Sequence, residues 1–334
     1  MYTCPKGYVP TLDLISTQKA IKTLKDCFEQ QLAAALNLTR VSAPLFVWAD
    51  SGLNDDLSGW ERKVDFDIKA EPNREAQVVQ SLAKWKRAAL GRYSYPSGRG
   101  LYTDMNAIRR DDIVDNLHSV YVDQWDWEKV ISREQRNPGV LKEAVVRIHS
   151  AVLEAETVLH SRYPDLQPRL PAEVTFITAE ALYELYPDIP AEERELQIVR
   201  EKRAVFVIGI GHKLPDGQPH SMRAPDYDDW SLNGDLLYYH HELDCVLELS
   251  SMGIRVDASS MFSQLGLADA KKRLDLPFHQ ALMKDELPLT IGGGIGQSRL
   301  CMLLLQKAHI GEVQCSIWPD GMMDELSAQG ILLL

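Results

Sequence analysis

Three stretches of this chain carry residues whose types and spacing suit a ligand site, two of them with arginines able to handle anions. The first is Ile291-Gly292-Gly293-Gly294-Ile295-Gly296-Gln297-Ser298-Arg299-Leu300. Glycines packed this closely let a flat ligand approach the backbone, and Arg299 presents a planar cation able to lie over an aromatic base. Together they read as a nucleotide seat. The second is Arg109, in Ala107-Ile108-Arg109-Arg110-Asp111-Asp112, where a strand end runs into a polar loop. The third is the run His118 to Glu128, whose alternation places Gln124, Asp126 and Glu128 on one strand face. Trp125 and Trp127 are interleaved with them and favour burial, so the polar face is expected to line a pocket.

These residues need a frame. Ile21, Leu24, Phe28, Leu32 and Leu36 recur at helical spacing and predict a helix from Ser16 to Leu36, ended by Asn37 and followed by a strand to Pro44. Short strands and hairpin turns follow through Val130, then a charged amphipathic helix from Lys142 to His160. Ala204 to Gly211 is an apolar run of strand length, and the glycine-rich strand feeds a buried helix through Cys301 to Leu305. The expectation is an α+β fold, an antiparallel sheet flanked by helices. No Ser/Pro-rich linker, repeat or low-complexity tract divides the 334 residues, which predicts one domain over 1-334.

Charge and composition narrow the function. With 36 basic against 48 acidic residues the formal charge is −12, and no basic cluster exceeds Lys271-Lys272-Arg273, so no nucleic-acid partner is expected. Cys4, Cys27, Cys245, Cys301 and Cys315 are scattered without C-x-x-C spacing and read as reduced thiols. Met1 to Lys6 lacks an apolar h-region and no stretch approaches a membrane span. These features predict a cytoplasmic protein with no membrane partner.

The helix and strand ending at Pro44, the hairpin from 109 to 128 and the Gly292 to Arg299 strand resemble, in order and content, the three motifs of class II aminoacyl-tRNA synthetase catalytic domains. Further blocks sharpen this: Gly52 to Gly59, Ser81 to Arg87, His118 to Glu128, Arg223 to Trp230 and Glu248 to Asp257 resemble the A-type ammonia-dependent asparagine synthetases, the aspartate-ammonia ligases. The resemblance spans nearly the whole chain. It implies a class II synthetase-like catalytic domain that joins L-aspartate and ammonia with ATP and Mg2+, and a homodimer formed through the helix and strand ending at Pro44. One departure stands out: only Ser231 separates Trp230 from Leu232-Asn233-Gly234-Asp235, where a bacterial form of the family has a longer insert, so a shorter loop is expected over the metal side.

Roles follow from the same resemblance. Forcing a carboxylate against an α-phosphate requires a fixed cation between two anions, and Arg109 fits, since its guanidinium can bridge both oxygens. Arg299 would stack on adenine, with Ser119, Val122, Glu248, Gly292 and Gly294 around the nucleotide. Asp235 and Glu248 would supply hard oxygen ligands to the divalent ion. Lys86 and Arg255 resemble the pair that grips the side-chain carboxylate in aspartyl-tRNA synthetases. Aspartate is nearly pseudosymmetric about its carboxylates, so the same clamp can hold the α-carboxylate and leave the β-carboxylate at Arg109. Ser81 and Ser251 would assist, and Asp126 and Asp228 would receive the amino group. Ammonia is the expected donor, because residue 2 is Tyr and no domain is spare for a glutaminase. Asp55 would bind ammonium and take its proton, with Gln124 orienting the acyl group; Asp56 is of the same type, and motif position alone selects Asp55. Two other functions fit the same residues: a free-standing aspartyl-transferring synthetase and a catalytically silent synthetase-like subunit. The acidic charge argues against the first, and the joint presence of Arg109, Glu248 and Arg299 against the second.

Overall fold

A computed structural model describes residues 2–334. In the first third of the chain the elements are α1 (Leu14–Leu36), β1 (Leu38–Arg40), β2 (Phe46–Trp48), β3 (Asp65–Ile68), β4 (Glu71–Val78), α2 (Ala83–Arg92) and β5 (Gly100–Ile108). Next come β6 (Tyr121–Val130), α3 (Pro138–Arg162), β7 (Thr175–Thr178), α4 (Ala179–Leu185), α5 (Ala191–Lys202) and β8 (Ala204–Ile208). The last third holds β9 (Asp228–His240), β10 (Cys245–Arg255), α6 (Ala258–Leu267), α7 (Pro277–Met283), β11 (Thr290–Gly296) and α8 (Gln297–Leu304).

The helix predicted from Ser16 begins two residues earlier, because the Asp13 side chain caps it by accepting from the Ser16 backbone N–H. It stops at Asn37, which adopts the left-handed conformation at φ 61° and returns its own N–H to Ala33. Its buried stripe of Leu24, Phe28, Leu32 and Leu36 lies in one apolar core with Ile148 and Val152 of α3 and with Trp125, Trp127 and Ile295 of the sheet. Phe28 and Trp125 meet at 4.8 Å between ring centroids. The strand expected to reach Pro44 ends instead at Arg40, and the chain beyond it runs into β2.

Eight strands form the main sheet in the order β1-β5-β6-β11-β10-β9-β8-β7. From β5 to β8 every neighbouring pair is antiparallel, as predicted, and a short parallel strand is added at each edge, β1 beside β5 and β7 beside β8. A second sheet, β2-β4-β3, stands apart. Helices α1 and α3 cover one face of the middle strands, so the opposite face is left to build a site. Among the described residues no helix is long and apolar enough to cross a membrane.

Candidate active site

The site begins with two strands that exchange bulk. In β6 the tryptophans turn into the core while Gln124, Asp126 and Glu128 project from the other face. Opposite them in β11 stand Gly296, Gly294 and Gly292. A Cβ on Gly292 would collide with the Glu128 carboxylate, and one on Gly294 would sit 2.6 Å from Asp126 Oδ1 and overlap the Gln124 amide. The glycines therefore admit the polar side chains of the next strand. Gly294 also lines the cleft, whereas Gly292 does not: the space it leaves is filled by Glu128, which corrects its expected place beside the nucleotide.

The adjoining strand β10 depends on an irregularity. Its register against β9 shifts between Glu248 and Ser250, and this bulge brings Glu248 and Ser251, three residues apart, to the same cleft. A second shift leaves Gly253 opposite Asn233 and Arg255 opposite Asp228, so residues 229–232 of β9 face the single residue Ile254 of β10. The segment from Trp230 to Asp235 is thus irregular strand and forms no loop over the metal side, contrary to expectation. Gln264 of α6 accepts the Trp230 N–H at 2.9 Å, and the Trp230 indole fills the space against Gly211.

Together these strands, α2, the start of α8 and the loops at 55–61, 109–119, 222–227 and 310–314 enclose a cleft of about 740 Å³, a size that suits small-molecule ligands. Asp55, Ser81, Lys86, Arg109, Ser119, Val122, Gln124, Asp126, Asp228, Glu248, Ser251, Gly294, Arg255 and Arg299 all line it. Asp56 does not; it pairs with Lys63 and, at 2.9 Å, with Arg273.

At the floor, Arg255 is wholly buried and holds Glu128 with Nε and Nη2, the latter at 2.8 Å, while Nη1 meets Asp228. Thr290 donates to the same Glu128 carboxylate at 2.7 Å. Arg255 has five N–H groups, so two remain for a ligand. Lys86 is as deeply buried. Its Nζ donates to the Gly293 carbonyl at 2.9 Å and lies 3.5 Å from Asp126. Burial pulls its pKa below the ordinary lysine value, against the attraction of Asp126 and Glu128. Asp228 receives Arg223 on its other oxygen at 2.9 Å. Lys86, Arg255 and Arg223 therefore face Asp126, Glu128 and Asp228, a formally neutral set matched to a zwitterion.

Nearer the mouth, Asp55 accepts from Ser81 Oγ and from the Leu57 N–H, both at 2.9 Å. Arg109 donates Nη2 to the Gln80 carbonyl at 3.3 Å, and its buried Nε has no protein partner. Arg299 is braced by the Glu248 carbonyl at 2.8 Å, which holds its guanidinium at the cleft wall. Ser119 is tied to Gln314 Oε1 and to the Tyr121 backbone, so its hydroxyl shapes the wall as well as facing it.

Asp235 pairs with Ser251 across the sheet but, unlike Glu248, lies behind the residues that line the cleft. Burial and the Glu248 carboxylate push its pKa up to about 7, against the pull of Arg223, and its Oδ1 is buried without a hydrogen-bond partner. A hard divalent cation would satisfy both observations. Among the described residues no group of three or more His, Cys, Asp or Glu side chains is arranged to hold a metal, so a cation between Asp235 and Glu248 would need further oxygens from a phosphate ligand or water. The pair fits Mg2+ on those terms.

Arg223, Tyr227 and Gln314 also line the cleft and had no role assigned from sequence. Arg223 and Tyr227 lay inside a motif whose acidic residues drew attention first. Gln314, bonded to Ser298 at 3.0 Å and reaching Asp123, sits in a segment with no motif or periodicity to flag it.

A protein-family model described as aspartate-ammonia ligase matches residues 15–330. An aspartate--ammonia ligase of Clostridium perfringens is 57% identical over 330 residues, covering 99% of this chain and 98% of that protein. Those of Ruminiclostridium cellulolyticum and Lactobacillus johnsonii are each 54% identical, again over 99% of the chain and 98% of the relative. Among solved structures, asparaginyl-tRNA synthetase from Pyrococcus horikoshii complexed with asparaginyl-adenylate superposes with a TM-score of 0.64 at 14% identity, over 90% of this chain and 68% of that one. An asparaginyl-tRNA synthetase of Entamoeba histolytica in complex with asparaginyl-adenylate gives 0.63 at the same identity, over 90% and 66%. At such identity the likeness is one of fold: the class II synthetase catalytic domain.

Proposed function

The chain belongs to the aspartate-ammonia ligase family, and from that premise we propose that it makes L-asparagine from L-aspartate, ammonia and ATP, releasing AMP and pyrophosphate. The observation that carries this reading is the convergence on one cleft of a neutral pocket for a zwitterion, an arginine with an unpartnered buried Nε, and an arginine braced beside a glycine strand.

Aspartate enters with its α-carboxylate toward the remaining donors of Lys86 and Arg255, and its amino group toward Asp126 and Asp228. This leaves the β-carboxylate at Arg109. With Arg109 shared between that carboxylate and the α-phosphate, a β-carboxylate oxygen attacks phosphorus, pyrophosphate departs, and a β-aspartyl-adenylate forms. Gln124 orients the acyl group, and Arg299 holds the adenine. Asp235 and Glu248 would hold Mg2+, which would supply charge neutralisation to the phosphates. Ammonium then binds at Asp55, which takes its proton; ammonia attacks the acyl carbon, the C–O bond breaks, AMP leaves with that oxygen, and the new amide nitrogen gives up its second proton to the departing phosphate or to solvent.

Cys245 and Cys301 do not offer a glutaminase nucleophile, since burial pushes both up to about 12, far from a reactive thiolate. The test is nucleotide product analysis with aspartate and ATP, run with ammonium, with glutamine or with neither. AMP coupled to asparagine is expected with ammonium alone; equal turnover with glutamine would refute the donor assignment, and ADP as product would refute adenylation.

A cytoplasmic location and a homodimer belong to the same proposal. The exposed edge strand β1 and its helix α1 would form the contact. Sedimentation at twice the 37.7 kDa chain mass is expected, and a single 37.7 kDa species would exclude it.

A further inference from the structure

Asp226 is fully buried between the cleft residues Arg223 and Asp228, yet it does not line the cleft itself. Its Oδ2 gathers three groups from distant parts of the chain: Lys84 Nζ at 2.9 Å, His279 Nε2 at 2.9 Å and Arg273 Nη1 at 3.1 Å. The other arm of Arg273 lies 2.9 Å from Asp56, whose second oxygen pairs with Lys63. A single guanidinium therefore joins the strand entry that carries Asp228 to the turn that carries Asp55.

That turn needs outside support. Leu57 adopts a left-handed φ of 49°, which a branched apolar residue disfavours. Asp55 itself is oriented by local bonds, its N–H to Asn54 Oδ1 and its carboxylate from Leu57 N–H and Ser81 Oγ. Between Asp55 and Leu57 stands Asp56, and its ion pairs with Lys63 and Arg273 fix the turn from behind. The start of the turn presses on the same cluster, because a Cβ on Gly52 would lie 2.9 Å from Leu276 and 3.2 Å from His279 Nδ1.

We infer that Arg273 is a positioning residue for the ammonia step: by bridging Asp56 to Asp226 it holds the 54–57 turn so that Asp55 faces the cleft. Arg273 touches none of the groups assigned to nucleotide or aspartate, and Asp226 keeps Lys84 and His279 when the guanidinium is lost, so the loss should reach the reaction chiefly through Asp55. The inference rests on the reading of Asp55 as the ammonium acceptor.

The test uses Arg273→Met, Arg273→Lys and Asp56→Asn, with Asp55→Asn as a control. Aspartate-dependent exchange of labelled pyrophosphate into ATP reports the adenylation half-reaction, and asparagine formation against ammonium concentration reports the whole. For Arg273→Met, the ammonium KM should rise about tenfold or more, with exchange held within about threefold. Arg273→Lys reaches one of the two anions and should fall between. Asp56→Asn removes the same bridge at its exposed end; the double variant with Arg273→Met should be no worse than the worse single one. Equal loss of exchange and synthesis, or a lower Tm with unchanged ammonium KM, would overturn the inference. If Arg273→Met does not fold, Asp56→Asn decides by the same criteria. An Asp55→Asn protein that fails to separate the half-reactions overturns the reading of Asp55, whereas separation there with none in Arg273→Met and Asp56→Asn overturns the role of Arg273 alone.

Discussion

Arg255 illustrates how much one side chain can be asked to do. Its type and position were legible as half of an aspartate clamp; its prior commitment to Glu128 and Asp228, 127 and 27 residues away in sequence, was not. The guanidinium can brace the floor and still present two N–H groups because its donors are held in a planar fork. A lysine there keeps the charge but cannot span Glu128 and Asp228 while reaching substrate. Arg255→Lys is therefore expected to raise the aspartate KM by about tenfold or more, leave the ATP KM nearly unchanged, and lower stability by about 3 kcal/mol as a buried ion pair is broken. Steady-state kinetics and urea unfolding measure these. A raised KM for ATP with an unchanged one for aspartate would remove Arg255 from the clamp.

Strand β6 was readable because a period of two between tryptophans and polar residues has one physical solution, a sheet with core on one side and pocket on the other. The partnership with β11 was only half readable. Glycines suggested close approach of a ligand, but two of them chiefly make room for neighbouring side chains. Gly294→Ala should displace Gln124 and Asp126, lowering asparagine formation by about 10²-fold or more with a stability loss of about 1–3 kcal/mol from disturbed buried hydrogen bonds. Gly292→Ala should lower stability at least as much, since the buried Glu128 cannot retreat. Wild-type kinetics in Gly294→Ala would show that the cleft tolerates a Cβ there and that the packing argument fails. The bulge beside Leu249 and the irregular stretch 229–232 had no sequence signature. They are set by pairing between strands, which local periodicity does not encode, and so the joint placement of Glu248 with Ser251, and of Asp228 with Asp235, appears only in three dimensions.

Across the whole chain the sequence indicated a single α+β catalytic unit, because helix stripes and strand alternation are strong local signals. Strand β1 was expected after the first helix though its end was not, and the parallel edge strand β7 is too short for such signals. Ionic links such as Lys84 with Asp226, 142 residues apart, have none at all. Stability across pH reflects the folded molecule in the same way. His309 is buried; its Nδ1 accepts the Gly311 N–H at 3.0 Å, and burial holds its pKa down at about 4. His240, also buried, is likewise depressed to about 4. Both rings stay neutral in the fold while the unfolded chain takes up protons near pH 6.5, so stability should fall as pH drops from about 6.5 toward 4, by at most about 1.4 kcal/mol per unit for each histidine. Urea midpoints between pH 7 and 5 would record this slope, and His309→Asn, which keeps an acceptor without a titrating ring, should flatten it. An unchanged slope would assign the acid sensitivity to other groups.

At the centre of this account is the β-carboxylate of aspartate, activated as an adenylate and then displaced by ammonia. Aspartate labelled with ¹⁸O in its β-carboxylate alone follows that oxygen. During turnover with ATP and ammonium, mass spectrometry of the nucleotide should find one labelled oxygen in each AMP formed. Label in orthophosphate or pyrophosphate, or AMP without label beside newly made asparagine, would contradict the account.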